Sequence, residues 1–316
     1  MTGMDRTSVV PASAFDTSTV VVNGGVAGVM SNVMAEVERM LERVAQCPHD
    51  DFTEVTSHYL RAGGKRVRAR LAVLSAAAGA GGHVPVRSRA AVVKAAAVVE
   101  LVHVASLHHD DVMDRATTRR GVASVNYRWD DRTALLAGDY LLAQAAMVGA
   151  MLGPEAVAAQ ATALTRLVNG QVAETWRTAT DDESAAYLRT VKDKTGALFG
   201  LAAQLGAIAV RANRPTRKAL ERFGETYGVA FQMADDLRDT LPAAVTGKDP
   251  DQDVRNGVRG LPAIPAADPA GAEGGLDVRL ALTEARRLAS LLPPGPHVGG
   301  LVRMCDDLDR SLATVA

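Results

Sequence analysis

Three aspartates close an apolar run in the stretch Glu100 to Gly121, ELVHVASLHHDDVMDRATTRRG, where Asp110, Asp111 and Asp114 are followed by Arg119 and Arg120. At 3.6 residues per turn, Asp110 and Asp114 share a helical face, with Asp111 about 100° round. Glu100, His103 and Leu107 continue the same stripe backwards. Carboxylates held about 5 Å apart at the end of an apolar rod repel one another and resist desolvation, at a cost of several kcal/mol. A hard cation relieves both effects, and one or two carboxylates with water and phosphate completing the shell is the usual way to hold Mg²⁺. One such cluster also reads as a solvated helix end. A second one, Asp235, Asp236 and Asp239 in FQMADDLRD with Gln232 one turn earlier, leaves that reading little room. Facing each other, two such clusters clasp metal ions between them.

The cations of the sequence suit anionic substrates. In Arg61 to Arg70, RAGGKRVRAR, Gly63 and Gly64 interrupt a helix and basic residues precede the next one. Glycine lets the backbone approach a phosphate, and a helix N-terminus favours negative charge. Lys194 and Thr195 lie among small and apolar neighbours in KDKTGALF. A buried ammonium there needs an anion, although a lysine snorkelling to water is an equal reading.

Long helices must position these groups. The predicted spans are an amphipathic helix from Val26 through Val44, a short one opened by a capping box of Asp51 and Glu54, and a central one from just after Pro85 to about Asp114. Ala134 to Met151, apolar on nearly every face, predicts another central helix, and Pro154 suits the first turn of one reaching about Glu174. Further helices open at Asp181 and Asp182 and at Pro215, and two amphipathic ones, about Leu276 to Leu292 and His297 to Val315, close the chain. Residues 1–24 read as a loose tail, 241–262 as a mobile lid carrying Lys248, and 263–275 as a disordered linker. CDDLD at Cys305 to Asp309 lacks the four-residue spacing and reads as a solvated face. Alternating runs are absent, so the fold class is all-α, one helical domain over 25–316.

A chain of 316 residues with 47% hydrophobic and 22% charged residues can bury a large core. The balance of 35 basic against 36 acidic residues carries no global signal for nucleic acid. Cys47 and Cys305 lack metal-ligand spacing and fit a reducing compartment. Ala90 to Leu107 is interrupted by Lys94, Glu100 and His103, which favours a buried core helix over a transmembrane segment, and no signal peptide is recognised; the expected location is cytoplasmic.

From Leu41 to Pro262 the chain resembles the trans-isoprenyl diphosphate synthases, or polyprenyl synthetases, in GGKRVR, ELVHVASLHHDDVMDRATTRRG, LLAGDYLLA, DKTGALF and FQMADDLRD. The resemblance implies antiparallel helices around a deep apolar cavity, the isoprenoid synthase fold, in a homodimer. It also implies Mg²⁺, three ions per site, held by Asp110, Asp111, Asp114, Asp235, Asp236 and Asp239 with the diphosphate of an allylic substrate, farnesyl or geranylgeranyl. Arg119, Lys194 and Lys248 would add positive charge to that diphosphate, and isopentenyl diphosphate would sit on Lys65, Arg68, His103 and Arg120, with Gln232, Thr195 and Gln171 near the cavity. The implied chemistry is ionisation of the allylic diphosphate, attack by the isopentenyl double bond and proton loss to the departed pyrophosphate.

In that family, bulk at the positions of Ala105 and Ser106 blocks the growing chain. Both are small here, with Ala95 to Ala97 beneath, which implies a hexaprenyl to nonaprenyl product, with geranylgeranyl as the alternative. Val258 stands where the family commonly has a lid lysine, which keeps a low-activity or regulatory subunit as a second possibility. A terpene cyclase has no use for Lys65, Arg68, His103 and Arg120, and a di-iron bundle needs a second copy of the Glu-x-x-His of Glu100 and His103.

Overall fold

Alanine and glycine set how closely the helices approach. The computed structural model describes residues 26–176, 183–239 and 277–313. At its centre lies α4 (Arg89–Met113), whose Ala95, Ala96, Ala97, Val98, Val99 and Leu101 are all fully buried. Around it stand α1 (Val26–Val44), α2 (Asp50–Arg61), α3 (Val67–Gly79), the single turn α5 (Val125–Arg128), α6 (Asp131–Ala150) and α7 (Pro154–Thr175). They are followed by α8 (Glu183–Val191), α9 (Ala197–Ala209), α10 (Arg214–Asp239), α11 (Val278–Ser290) and α12 (Pro296–Ala313). α6 packs along α4, α9 lies between α3 and α10, and α11 rests on α10. A Cβ on Gly206 would sit 2.0 Å from the Ala72 carbonyl oxygen, so α9 meets α3 backbone to backbone. The same holds for α10 on α9, where a Cβ on Gly224 would meet the Phe199 carbonyl at 2.5 Å.

The all-helical expectation holds, with one local exception. A two-residue antiparallel ladder pairs β1 (Thr118–Arg119) with β2 (Val122–Ala123), closed by Arg120 and Gly121 at positive φ. Two residues are too few for an alternating pattern to register in the sequence.

Several predicted boundaries shift. The capping box at Asp51 does not form: the helix starts at Asp50 behind His49, which makes no side-chain cap, and Glu54 pairs instead with Arg128 at 2.5 Å. α4 begins at Arg89, because Val86–Ser88 forms a 3₁₀ turn. CDDLD is not simply solvated: Cys305 and Leu308 are buried, and Asp306 and Asp309 both hold Arg286 of α11, at 3.0 and 2.8 Å. The tail over 1–24, the lid over 241–262 with Lys248 and the linker over 263–275 lie outside the described residues.

Val86–Met113 and Asp131–Ala150 are long and apolar enough to cross a membrane by length and composition. The first is a core helix, with 67% of its most apolar window buried; the second has 39% buried. The difference is an apolar face left open on α6 by Leu136 and Met147, with Met151 just beyond, and on α7 by Val168 and Val172, with Trp176 after it.

Candidate active site

The first aspartate cluster ends α4, and its three members face different surroundings. Asp111 is fully buried. One of its oxygens accepts from Arg119 Nε at 2.8 Å and pairs with the same guanidinium's second nitrogen at 2.6 Å, and the other accepts from the Tyr59 hydroxyl of α2. Tyr59 also receives the Val125 backbone N–H at 2.8 Å, and Asn126 Nδ2 donates to the Asp111 carbonyl at 3.1 Å. Asp111 therefore holds α4, α2 and α5 together while fixing Arg119. Asp110 and Asp114 are only half-buried. Burial pushes the Asp110 carboxyl up to about 6, with the Lys194 ammonium opposing and the Asp114 charge adding to the rise. Burial raises Asp114 as well, with Lys194 and Arg119 opposing and the Glu174 and Asp111 charges adding to the rise.

Lys194 reaches this cluster from a π-helical turn, Lys192–Gly196, inserted between α8 and α9. Such single-turn bulges recur at functional sites. Its ammonium pairs with Glu174 at 2.5 Å, so the lysine does not snorkel to water. Although burial disfavours its charge, Glu174, Asp110 and Asp114 together hold the ammonium above its ordinary value.

The basic cluster forms between α2 and α3. Arg66, not singled out from the sequence, is buried in a left-handed conformation with φ 49° and pairs with Glu38 at 2.8 Å and Glu100 at 3.5 Å. Glu100 also accepts from the Ala69 N–H at 3.2 Å. This buried carboxylate carries the positive loop from beneath. Above it, Arg68 stacks on Phe199 with its guanidinium 4.5 Å from the ring centroid, and burial pushes it down to about 10, against the pull of Glu100. His103 lies well below the usual imidazole range, held neutral first by burial and then by Arg68 and Arg120. A neutral His103 is a hydrogen-bond partner rather than a charge. Arg120 donates to the Tyr59 and Gly63 carbonyls at 2.9 and 2.6 Å, and its guanidinium carbon would lie 3.2 Å from a Cβ on Gly64, at φ 146°. Gly64 is required there twice over, by conformation and by space.

The second cluster mirrors the first. Asp236 accepts from Tyr187 of α8 at 2.6 Å and from Gln232 Nε2 at 2.7 Å, and Thr195 of the π turn donates to Gln232 Oε1 at 2.9 Å. Asp235 is half-buried, 3.6 Å from Arg238. It lies close enough to support the charges of Lys65 and Arg68, both of which burial depresses. Asp239 closes α10 in backbone; its side chain is outside the described residues. Gln171 is half-buried with its Oε1 unpartnered, and Ala105 is fully buried one turn and more below Asp110. Ser106 donates to the His103 carbonyl at 2.9 Å. Asp110, Asp114 and Lys194 thus influence Arg119, which neighbours Arg120 and in turn Arg68, and Asp235 acts on Arg68 and Lys65, so cations lie between the two aspartate clusters with neutral His103 among them.

Tyr59, Tyr187 and Glu174 went unnoticed in the sequence. Each partner lies 52, 49 or 20 residues away, and nothing local marks them. Among the described residues no three acidic, histidine or cysteine side chains converge on one point. An all-oxygen set of one or two carboxylates per cluster fits a cation that takes its remaining ligands from water and phosphate.

A family model described as polyprenyl synthetase matches residues 49–282. The nonaprenyl diphosphate synthase of Mycobacterium tuberculosis is 42% identical over 233 residues, 73% of this chain and 68% of that protein. The heptaprenyl diphosphate synthase component 2 of Geobacillus stearothermophilus is 32% identical over 297 residues, 90% of this chain and 86% of that one. Among solved structures, the decaprenyl diphosphate synthase of Rhodobacter capsulatus superposes with a TM-score of 0.74 at 29% identity, covering 90% of this chain and 98% of the other. With the family match spanning most of the described helices and both aspartate clusters, the chain belongs to the polyprenyl synthetases and is a prenyltransferase of the isoprenoid synthase fold.

Proposed function

We propose that this prenyltransferase condenses isopentenyl diphosphate, head to tail, with an allylic diphosphate, farnesyl or geranylgeranyl, to a product longer than geranylgeranyl. The observation that carries this reading is the set of cations, Arg119, Lys194, Arg120, Arg68 and Lys65, lying between two aspartate clusters, which would offer two diphosphates separate seats. Arg119 and Lys194 receive the allylic diphosphate beside Asp110 and Asp114; Lys65, Arg68 and Arg120, with neutral His103, receive isopentenyl diphosphate. Mg²⁺, when bound by Asp110, Asp114, Asp235 and Asp239, supplies the Lewis acidity that stabilises the departing pyrophosphate. Asp111 and Asp236 take a positioning role in this reading, because tyrosines and Arg119 or Gln232 already engage them. Lys248 is proposed to close over the same diphosphate. No side-chain base is needed, since pyrophosphate held by Arg119 and Lys194 stays in place to accept the proton.

The fully buried Ala105 and the alanines beneath it support a long product, of the hexaprenyl to nonaprenyl kind. The open apolar face of α6 and α7 supports a homodimer, and the unpaired Cys47 and Cys305 support a cytoplasmic location. A second reading, one subunit of a two-component synthase, is favoured by the relative named component 2. The test incubates the purified protein alone with farnesyl diphosphate, labelled isopentenyl diphosphate and Mg²⁺, with and without chelator. A chelator-sensitive ladder beyond geranylgeranyl is expected. No elongation by the protein alone favours the two-component reading, and hydrocarbon products a cyclase.

A further inference from the structure

The π turn that delivers Lys194 and Thr195 is gripped by one stripe of α7. Arg166, Gly170 and Glu174 recur every four residues and so share a face. Glu174 takes the Lys194 ammonium at 2.5 Å. Gly170 lets the two backbones touch, since a Cβ there would lie 2.6 Å from the Lys194 nitrogen. At the far end Arg166 donates through Nε to the Asp193 carboxylate at 2.8 Å and through a terminal nitrogen to the Lys192 carbonyl at 3.3 Å. Its other terminal nitrogen is held by Glu225 of α10.

A π turn carries one residue more than an α-helical turn, and that residue rotates everything after it by about 100°. The rotation is what places Lys194 toward Asp110 and Asp114 while Thr195 meets Gln232. Relaxation to α-helical register would move both. Arg166 binds the carbonyl of the first residue of the turn and the side chain of the second, so it holds the register open against that relaxation.

We infer that Arg166 is a positioning residue for this reaction: by clamping Asp193 and the Lys192 carbonyl to α7 and Glu225, it keeps the π turn in the register that aims Lys194 and Thr195 at the site. This rests on the reading of Lys194 as the ligand of the allylic diphosphate. A cavity of about 240 Å³ behind the clamp, lined by Arg166, Thr162, Leu201, Gln204, Glu221 and Glu225, leaves room for a methionine in place of the arginine.

The experiment compares Arg166→Met, Lys194→Ala, the double variant and, as control, Arg217→Met. Arg217 pairs with Glu155 on the same two helices without touching the π turn. Steady-state constants for both diphosphates and thermal melting are recorded. Arg166→Met is expected to lower kcat/KM for the allylic diphosphate about 10- to 100-fold, as misplacement of a positioning group by an ångström does. KM for isopentenyl diphosphate stays within about twofold by the same reasoning, because its residues lie on other elements. Melting falls no further than in the control. In the Lys194→Ala background most of the Arg166 effect should vanish, because both changes remove one interaction. An unaffected Arg166→Met, or an effect that adds fully to that of Lys194→Ala, overturns the clamp while leaving the role of Lys194 standing; an unaffected Lys194→Ala overturns both. If Arg166→Met fails to fold, Asp193→Asn removes the carboxylate end of the clamp with Glu225 still holding Arg166, and the same outcomes decide.

Discussion

Replacing Tyr59 by phenylalanine removes one oxygen atom from the most buried polar contact of the site. That hydroxyl donates to Asp111, which is fully buried, and accepts the Val125 N–H at 2.8 Å. Loss of a hydrogen bond to a charged group costs about 1.5–3 kcal/mol, and an orphaned buried N–H about 1–3 kcal/mol. Asp111 keeps both contacts to Arg119, at 2.8 and 2.6 Å, so the carboxylate is not stranded and the lower half of the sum applies, about 3 kcal/mol. Against a typical stability of about 5–15 kcal/mol this is large yet survivable. Tyr187→Phe provides the internal comparison, because Asp236 is half-buried, retains Gln232 at 2.7 Å and leaves no backbone donor orphaned. Its cost should be about 1–2 kcal/mol. Urea unfolding followed by circular dichroism, without Mg²⁺ or diphosphate, measures both, with unchanged m-values showing that stability alone has moved. A loss below about 1 kcal/mol for Tyr59→Phe, or a larger loss for Tyr187→Phe, refutes the assignment of Asp111 as an inward-facing tie.

Burial raises the Asp110 carboxyl from 3.8 to about 6, so the metal-free protein is stabilised by the protonated form below the unfolded value and loses that contribution as pH rises toward 6. The loss is about 2–3 kcal/mol, and Asp110→Asn should flatten this part of the stability-pH curve while abolishing elongation; an unchanged slope contradicts it. Ala105→Phe should shorten the prenyl ladder resolved by chromatography of the dephosphorylated products, and unchanged lengths would place the cavity floor elsewhere. Leu136→Glu with Met147→Glu puts charge on the open face of α6 and should yield a monomer by sedimentation velocity if that face joins two copies; an undisturbed dimer points to another interface.

The aspartate clusters, the glycine-basic loop and the helical class were legible because each depends on residues within a turn or two of one another. Periodicity tells which side chains share a face, and so Asp110 and Asp114 separate from Asp111 on paper. It does not tell how a helix is rotated within the bundle, and that rotation turned Asp111 inward toward Tyr59. The capping box at Asp51 failed for a related reason: Glu54 found a better partner in Arg128, 74 residues away. The π turn was invisible because nothing in Lys192 to Gly196 marks one residue inserted in a helix, and only the close approach of Gly170 and the Arg166 clamp reveal why the register opens there. The hairpin of Arg119 and Arg120 escaped because its pairing involves two residues on each side.

The matched tyrosines of the two clusters bear on how the site acquires its metal. In each cluster the second aspartate, fully buried at Asp111 and half-buried at Asp236, accepts from a phenol, so fewer free carboxylates remain than the two motifs suggest. With Lys194 and Arg119 offsetting those that remain, the protein by itself presents only a weak electrostatic well for a divalent cation. Diphosphate brings the missing charge. On the proposed reading, metal and allylic diphosphate would bind together, and loss of pyrophosphate would weaken the hold on the metal. Such a site would respond to the magnesium-diphosphate complex more than to free magnesium.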